Sequence, residues 1–352
     1  MDLDGPGEGS PKRATNPRPN TFGGALTLKH FRVLGIAAAL GALLAACSGS
    51  NNNGQQSSST TTTTTTTTSA SAAPGAKTIG VSIQDSEAQF YQSMEAGMQA
   101  EAAKYGYKVT FVDANRDSSK QQSQVEDFIS KKVDAIVLTP ADSQAIGSAI
   151  AEANNANIPV FTADIASTSK QGKVVSHIAS DNVQGGEQAG KLMCKATGGS
   201  GSVAIIDQPE VTSVQDRVKG FKTALAQNCP NVKIVADVDA GGTRDKASSD
   251  MGDILQAHKD LKGVFGVNDD SALGAMTAVR AAGLSGIAIV GYDATPEART
   301  AIKNGQMAGD AIQSPDTIGK LTIDAIHDYF GGKKVPARIE VPVGTYTKAN
   351  AK

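Results

Sequence analysis

The chain lacks tryptophan, has only 4% aromatic residues and carries no excess of charge of either sign. Its 33 Lys and Arg are matched by 35 Asp and Glu, which leaves a formal net charge of −2. Proteins that bind nucleic acids do so largely by neutralising phosphates, so this balance gives no indication of a nucleic-acid partner. The length of 352 residues suits one large domain or two of medium size.

The apolar run at 33–46, VLGIAAALGALLAA, is too short for a typical membrane span. It has 14 residues, whereas a helix needs roughly 20 to cross a bilayer. Its length suits the apolar part of a signal peptide, and Lys29 and Arg32 supply the positive flank in front of it. We therefore predict that 1–46 is a signal peptide with an extended N-terminal region.

The apolar run ends at Leu44-Ala45-Ala46-Cys47. Small residues before a cysteine resemble the bacterial lipoprotein box, in which the cysteine is lipidated and becomes the mature N-terminus. The alternative is ordinary secretory cleavage beside a cysteine that carries no lipid. The first interpretation predicts a lipid anchor on Cys47, which would hold the protein at the outer face of the cell membrane in a bacterial envelope.

The segment after Cys47 is rich in Ser, Thr, Asn and Gln, with nine consecutive threonines at 60–68. Such a segment has almost no apolar surface to bury, so it cannot offset the entropy lost on folding. We predict that 47–76 is a disordered tether that holds a folded part away from the membrane.

From Lys77 onward, short β-branched runs alternate with amphipathic stretches and glycine-rich turns. Predicted strands lie at 78–83, 107–112, 134–138, 158–162, 174–178, 202–206, 232–236, 263–267, 287–291 and 308–312. Helices are predicted between them, for example at 89–105 and 270–283. This alternation is typical of an α/β fold with parallel sheets covered by helices on both faces. Because it extends over roughly 270 residues, two doubly wound lobes are favoured over one sheet.

Polar residues follow the predicted strands at nearly every strand end. Open parallel sheets bind ligands at the carboxyl ends of their strands. The residues at these ends are Gln84, Asp85, Thr139, Asp164, Asp207, Gln208, Asn268, Asp269, Tyr292, Asp293 and Gln313. Amide and carboxylate groups can each bond two vicinal hydroxyls, which indicates a ligand rich in hydroxyl groups. The alternative for each carboxylate is a helix N-cap, because the same positions precede helices.

The sequence contains no recognisable catalytic, metal-binding or dinucleotide-binding motif. No histidine pairs with a serine or cysteine in a recognisable catalytic arrangement, so we predict a binding protein and not an enzyme. The stretch DANRDSSKQQSQ at 113–124 lacks the glycine and glutamate of a calcium loop, and GGSGS at 198–202 precedes a strand instead of following one. We therefore predict neither a metal nor a cofactor.

Five motifs together resemble the ribose-binding-protein group of type I periplasmic sugar-binding proteins. They are ANIPVFTAD (156–164), VVSHIASDN (174–182), VFGVNDDSALGA (264–275), IVGYDATP (289–296) and SPDTIG (314–319). The resemblance extends from about Lys77 to Lys348. It implies two lobes joined by a three-segment hinge, with the ligand held between them: 77–180 plus 314–340 form the N-terminal lobe, and 181–313 plus 341–352 form the C-terminal lobe.

The resemblance also implies a ligand site. Its residues are Gln84, Phe90, Tyr91, Thr139, Asp164, Ile165, Arg217, Asn268, Tyr292, Asp293 and Gln313. Five positions depart from the ribose binders. Ile165 stands in place of an arginine, and Gln84 stands in place of a serine. Thr139 and Ala88 each replace an asparagine, and Gly242 replaces a stacking phenylalanine. Loss of the arginine removes up to five donors, so another monosaccharide or a polyol is expected.

The two remaining cysteines fall in helices that the resemblance assigns to one lobe. Cys194 lies late in the helix predicted at 184–197, and Cys229 lies at the end of the one at 214–228. Disulfides persist outside the cytoplasm, so a Cys194–Cys229 bridge is expected. Two free buried thiols are the alternative.

As a member of this group, the protein is expected to deliver a sugar or polyol to an ABC permease and its ATPase, acting as a monomer. A role as the sugar-sensing partner of a membrane receptor, or the binding of a non-sugar metabolite, stays open. Transcription regulators of the LacI type share the two-lobe core. They carry an N-terminal helix-turn-helix, however, where this chain has the signal segment and the threonine tract.

Overall fold

The computed structural model describes residues 76–351, and these residues form two six-stranded sheets. The first sheet has the order β11-β5-β4-β3-β1-β2. Its strands are β1 (Thr78–Ile83), β2 (Lys108–Asp113), β3 (Ala135–Leu138), β4 (Val160–Ala163), β5 (Val174–Ser180) and β11 (Arg338–Val341). All its neighbouring strands are parallel.

The second sheet has the order β12-β10-β9-β8-β6-β7. Its strands are β6 (Ser200–Asp207), β7 (Asn231–Asp239), β8 (Leu261–Gly266), β9 (Ala288–Asp293), β10 (Gly309–Ile312) and β12 (Gly344–Tyr346). Here β12 runs antiparallel to β10, and the other pairs are parallel.

Helices cover both faces of each sheet. They are α1 (Gln89–Lys104), α2 (Ser118–Ser130), α3 (Gly147–Asn155), α4 (Asn182–Ala196), α5 (Thr212–Asn228), α6 (Arg244–Ala257), α7 (Asp269–Ala281), α8 (Pro296–Lys303) and α9 (Pro315–Phe330). Each sheet has one apolar cluster on either face. Burial on both faces explains why a central strand such as β3 is apolar throughout. The α/β class with two doubly wound lobes is confirmed.

Helix α1 illustrates how the sequence pattern produces the packing. Met94, Met98 and Ala102 recur at helical spacing and are buried against the first sheet. Gly97 lies on the neighbouring face, where a side chain would collide with the backbone of Asp316 at the start of α9. The glycine therefore lets α1 and α9 pack closely together on the same face of the sheet.

The chain crosses from one sheet to the other three times: after β5, after β10, and between β11 and β12. The first and third crossings are tied together, since the backbone N–H of Asp181 donates to the carbonyl of Val341 at 3.0 Å. The side-chain oxygen of Gln184 accepts from the N–H of Val343, also at 3.0 Å. The lobe bounds given above stay a prediction.

Cys194 in α4 and Cys229 at the end of α5 are joined by a disulfide bond. The two helices pack closely because Gly186 and Gly220 leave room for the facing backbone. Sequence patterns did not indicate β11 and β12, which are short and lack a continuous apolar run. Cys47, the predicted signal peptide at 1–46 and most of the predicted tether at 47–76 lie outside the described residues.

Candidate ligand-binding site

The carboxyl ends of the two sheets face each other across a cleft, and most of the predicted site residues line it. Eight of the eleven do so: Gln84, Phe90, Tyr91, Asp164, Ile165, Arg217, Asn268 and Asp293. The cleft is thus built from both lobes, as expected where strand ends converge.

On the first lobe, three polar side chains form a hydrogen-bonded group. The Tyr91 hydroxyl lies 3.0 Å from the Gln84 Oε1 atom and 3.2 Å from the Asp164 Oδ2 atom. Tyr91 is placed by α1, whereas Gln84 and Asp164 follow β1 and β4 directly. The group therefore fixes the Asp164 carboxylate relative to two other elements of the lobe.

Asp164 has the features of a recognition group. Its φ of 63° places it in the left-handed region, which is uncommon for a residue other than glycine and is often seen at functional sites. Its side chain is 3% exposed, and no described residue donates a hydrogen bond to its Oδ1 atom. Burial raises the pKa of Asp164, although the Arg217 guanidinium and the Tyr91 hydroxyl oppose this shift.

On the second lobe, Arg217 in α5 is held rigidly. Its Nε atom donates to the Asn182 Oδ1 atom at 2.9 Å, and Nη1 donates to the Val267 carbonyl at 2.9 Å. Its guanidinium carbon lies 4.0 Å from the centre of the Tyr292 ring, a cation–π contact. These contacts use part of its donor set and direct the Nη2 atom toward the cleft.

Asp164 and Arg217 face each other across the cleft, with 3.9 Å between the Asp164 Oδ1 and Arg217 Nη2 atoms. This distance is too long for a direct hydrogen bond. Both side chains are almost fully buried, so the opposite charges attract strongly in a medium of low polarity. A ligand hydroxyl could donate to the carboxylate and accept from the guanidinium at the same time.

Asp293, the last residue of β9, supplies a second carboxylate. Its Oδ1 atom accepts a hydrogen bond of 2.7 Å from the Gln313 side-chain amide. Burial raises the pKa of Asp293 well above its ordinary value, and Arg217 opposes this shift. Asp293 has a φ of 121°, so it too has an unusual backbone conformation at a strand end.

The helix-cap alternative applies to some strand-end residues but not to others. The Asn268 Oδ1 atom accepts from the backbone N–H of Ser271 at 2.9 Å and caps α7. Asp164 precedes no helix directly, and α8 is capped by Thr295 and not by Asp293. Asp164 and Asp293 are therefore not explained as helix caps.

Apolar side chains form part of the cleft wall. Ile165 of the first lobe packs against the core cluster of the second lobe that contains Val211 and Val214, and all three residues line the cleft. The Phe90 ring lies edge-on to Tyr91, with 5.2 Å between the ring centroids. The site thus combines a polar floor with an apolar wall, which suits a ligand that has both hydroxyl groups and C–H faces.

Arg116 also lines the cleft, although no sequence pattern indicated it. Its guanidinium forms an ion pair with Asp85 on its own lobe, with 3.0 Å between Nη2 and Oδ2. Across the cleft, Nη1 donates to the Gly241 carbonyl at 2.8 Å, and Nη2 donates to the Gly242 carbonyl at 3.3 Å. Gly242 has a φ of 65°, and a Cβ there would press on Gln208 and Arg116. The glycine thus makes room for this contact.

A second contact between the lobes lies at Thr212. Its backbone N–H donates to the Ser143 Oγ atom at 3.0 Å, and its Oγ1 atom accepts from the N–H of Ala166 at 3.0 Å. The Ser143 N–H donates to the Glu210 carbonyl at 3.1 Å. Together with the Arg116 contact, these bonds hold the lobes in a closed arrangement.

Three predicted site residues do not line this cleft. Thr139 is fully buried, and its carbonyl accepts from Gln121 on its own lobe. Tyr292 is also fully buried beneath Arg217, and its hydroxyl lies 3.1 Å from the Asn182 Oδ1 atom. The Tyr292 ring therefore supports Arg217 instead of facing a ligand. Gln313 lies behind Asp293 and lines a neighbouring groove.

The part of the chain that the structure describes contains no group of three or more His, Cys, Asp or Glu side chains that could hold a metal ion. None of the helices within 76–351 is long and apolar enough to cross a membrane. The fold and the cleft define a two-lobe binding protein that encloses a small ligand between its lobes.

Comparison with known proteins identifies the family. Residues 79–334 match the model of the periplasmic binding protein domain, and the chain belongs to this family. It is 38% identical over 272 residues to the ribose import binding protein RbsB of Bacillus subtilis, which covers 77% of this chain and 87% of the relative.

Solved structures agree. An ABC transporter solute-binding protein from Mycobacterium smegmatis with bound glycerol has a TM-score of 0.74 and 33% identity, over 79% of this chain and 96% of that one. A solute-binding protein from Bacillus halodurans with bound myo-inositol has a TM-score of 0.72 and 29% identity, over 79% of this chain and 96% of that one.

Proposed function

We propose that the protein binds a monosaccharide or polyol between its lobes and presents it to an ABC importer. The observation that carries this proposal is the Asp164–Arg217 pair. Each lobe contributes one buried charged group, and the 3.9 Å between them leaves a position for a ligand hydroxyl. A ligand that bonds both groups favours the closed state, because only that state offers both contacts.

The relatives support this ligand class. The matched relatives include import binding proteins for ribose and fructose and a xylitol-binding protein. The matched structures hold glycerol, tagatose, allose and myo-inositol. All these ligands are neutral and carry several hydroxyl groups. The cleft, with two carboxylates and one oriented guanidinium, is suited to such a ligand.

The apolar wall narrows the choice within this class. Ile165 is 1% exposed and packs with Val211 and Val214. Ribose binders carry an arginine at the position of Ile165, so a ligand of this protein has fewer hydroxyls to satisfy on that side. We infer a polyol or a sugar that turns a C–H face toward Ile165, with its hydroxyls toward Asp164 and Asp293.

The location and assembly follow from the same proposal. The protein acts outside the cytoplasm as a monomer, with a lipid on Cys47 as its anchor and 47–76 as its tether. Metabolic labelling with a fatty acid tests the anchor: wild type incorporates label, whereas Cys47→Ser does not and is released from the membrane. Equal labelling of both proteins would contradict the anchor.

A thermal-shift screen tests the ligand class directly. The purified protein is screened against pentoses, hexoses, deoxysugars, sugar alcohols and inositols. A ligand at 100 times its dissociation constant stabilises the folded state by about 2.7 kcal/mol. We expect one narrow group of hits whose stabilisation Asp164→Asn reduces. A panel with no hits would refute the sugar or polyol assignment.

A further inference from the structure

A pair of buried carboxyl groups lies beside the cleft in the second lobe, and Asp269 is itself one of the residues that line the cleft. Asp269 is the first residue of α7 and is 2% exposed, and Asp310 in β10 is fully buried. The Oδ1 atoms of both residues lie within 3 Å of the position that a Cβ atom on Gly291 would take. The absence of a side chain at Gly291 therefore allows the two carboxyl groups to approach each other.

Three carboxyl oxygens of this pair accept no hydrogen bond from a described side chain: Asp269 Oδ1 and both oxygens of Asp310. Two adjacent buried carboxylates would repel each other, and each would also lose its hydration. A single proton between them removes one charge and lets one of these oxygens donate to another. In agreement, burial raises the pKa of Asp310 to about 7 and that of Asp269 well above its ordinary value.

The pair is connected to the ligand site from the side of α7. The Asp269 Oδ2 atom accepts a hydrogen bond of 2.7 Å from the backbone N–H of Thr295. The Asp269 N–H lies 3.5 Å from the Asp293 Oδ2 atom. Asp293 and Ala294 both have positive φ values, of 121° and 56°. Asp269 thus holds a turn whose backbone conformation is unfavourable by itself.

A second connection passes through β10. Gln313, three residues after Asp310, donates to the Asp293 Oδ1 atom at 2.7 Å. Strands β9 and β10 pair directly, with Asp310 beside Gly291 and Ile312 beside Asp293. A displacement of the Asp310 side chain would therefore shift both segments that hold the Asp293 carboxylate.

We propose that Asp269 and Asp310 share one proton and act as positioning residues for Asp293, so that loss of this proton weakens ligand binding. The affinity part of the proposal rests on the function proposed above. The shared proton and the position of the turn at Asp293 and Ala294 do not rest on that function, because both are properties of the ligand-free protein.

Other charged and titratable groups face the pair from the neighbouring elements. Arg299 in α8 donates to the Ala294 carbonyl at 2.6 Å and lies over the Tyr346 ring of β12. It partly offsets the rise in the pKa of Asp310, whereas Asp293 adds to it. Asp270, the next residue in α7, is paired with Arg244 at 3.0 Å. Arg299 thus compensates for one negative charge on the pair but not for two.

The direction of the pH effect follows from the raised pKa values of both carboxyl groups. Burial raises the pKa of Asp310 to about 7 and that of Asp269 well above its ordinary value, so the folded pair still holds one proton at pH 7, whereas the unfolded chain releases both protons at about pH 4. The stabilising contribution of the shared proton is complete at low pH and is lost as the pH rises through the raised pKa of Asp269. If only the protonated pair is competent to bind, the affinity falls as the pH is raised from about 6 to about 9.

Three variants of the full-length protein separate this role from simple packing. Asp310→Asn keeps the shape and donates an N–H to Asp269 but cannot ionise. We expect it to bind at pH 6 like wild type and to lose the decrease in affinity that wild type shows at about pH 9. Asp310→Ala removes the donor and should weaken binding at both pH values. Asp207→Asn is the matched control, because burial raises the pKa of that carboxyl group to about 6 elsewhere in the lobe. It should leave the pH dependence of wild-type binding in place.

The measurements are calorimetry with the tightest binder among ribose, xylitol and myo-inositol, infrared spectroscopy of protonated carboxyl groups, and hydrogen exchange at Asp293, Ala294 and Thr295. Exchange rates are corrected for their intrinsic pH dependence. Wild type should lose a carboxylic-acid band and gain exchange at this turn between pH 6 and about pH 9, and Asp310→Asn should show neither change. Identical pH profiles for wild type and Asp310→Asn would overturn the proposal.

The two proposals fail in different ways. If none of the three probes binds, the sugar or polyol assignment is weakened, and the infrared and exchange data still decide on the proton and the turn. If a probe binds but the wild-type affinity is equal at pH 6 and about pH 9, the positioning role is wrong and the assignment stands.

Discussion

The two walls of the cleft are built differently. The wall from the first lobe has one carboxylate, Asp164, in a small group with Tyr91 and Gln84. The wall from the second lobe has Arg217, which is fixed by contacts to Asn182, the Val267 carbonyl and Tyr292, and Asp293, which is supported by the carboxyl pair behind it. The second lobe therefore presents a rigid, prearranged half-site.

This difference suggests that the two lobes act at different steps of ligand binding. A prearranged half-site loses little entropy when a ligand settles on it, so the second lobe is suited to first capture. The first lobe then adds Asp164 and the Arg116 contact when the cleft closes. Changes to the second wall should therefore affect both stability and affinity, whereas changes to the first wall should affect mainly affinity.

Arg217→Ala should have the largest effect on affinity. The substitution removes the guanidinium from the cleft. It also removes the hydrogen bonds that Arg217 donates to Asn182 and to the Val267 carbonyl. Loss of one member of a buried charged pair costs about 2–5 kcal/mol, so we expect affinity to fall by a factor of 30 or more. Calorimetry and urea unfolding measure the two consequences. Arg217→Lys is the control, and it should recover only part of the affinity because it lacks the planar fork. Full recovery would show that charge alone matters.

Asp164→Asn should cost nearly as much affinity but little stability. The amide keeps the volume but loses the charge that attracts ligand hydroxyl donors and Arg217. Loss of a charge-assisted hydrogen bond costs about 1.5–3 kcal/mol, which corresponds to a decrease of roughly ten- to 150-fold. The folded state should unfold at the same temperature or a higher one, because burial disfavours the charged carboxylate. A large drop in thermal stability would remove the contrast between the walls.

Arg116→Ala should have a smaller effect that appears mainly in the dissociation rate. Arg116 bonds Gly241 and Gly242 only across the closed cleft, and its side chain is partly exposed. We expect ligand release to become about three- to tenfold faster, in line with about 1 kcal/mol for such contacts, with little change in association. Stopped-flow mixing separates the two rates. Lys120→Ala, on the exposed face of α2, is the control. A slower association rate with unchanged release would contradict the assignment of Arg116 to closure.

Removal of the disulfide should leave affinity almost unchanged. Cys194 and Cys229 are 35 residues apart in sequence and lie at the ends of α4 and α5 distant from the cleft. Replacing both with serine should lower the free energy of unfolding by about 3 kcal/mol. Denaturant unfolding and calorimetry on the same preparation test this. A loss of affinity above threefold would indicate that the bridge transmits strain to the site.

The fold was predictable because its signals are local. Strand β3 is a continuous apolar run, and α1 ends at Lys104, with Tyr105 as its C-cap before a glycine with a φ of 68°. The last two strands are exceptions. Strand β11 alternates charged and apolar residues and β12 has only three residues, so their strand conformation depends on pairing with β5 and β10.

The site was predictable to the extent that strand ends define it. Gln84, Asp164 and Asp293 were found by that rule. Tyr292 was assigned to the site as a strand-end residue and, from the family resemblance, as an aromatic ligand contact, but neighbouring residues of a strand point to opposite faces. Consideration of this alternation would have placed the Tyr292 side chain away from Asp293.

Arg116 and Asp310 could not have been identified from the sequence. Arg116 lies in a turn, and its role depends on the approach of a loop 125 residues later in the chain. Asp310 lies within a four-residue strand, and its role depends on the carboxyl group of α7 that Gly291 brings close. Local patterns carry no information about such approaches.

A crystal structure with the strongest sugar or polyol ligand would test the central claim most directly. The account predicts one ligand oxygen within hydrogen-bonding distance of both Asp164 and Arg217, and a C–H face of the ligand against Ile165. A ligand that contacts only one lobe, or that lies outside the cleft, would contradict it.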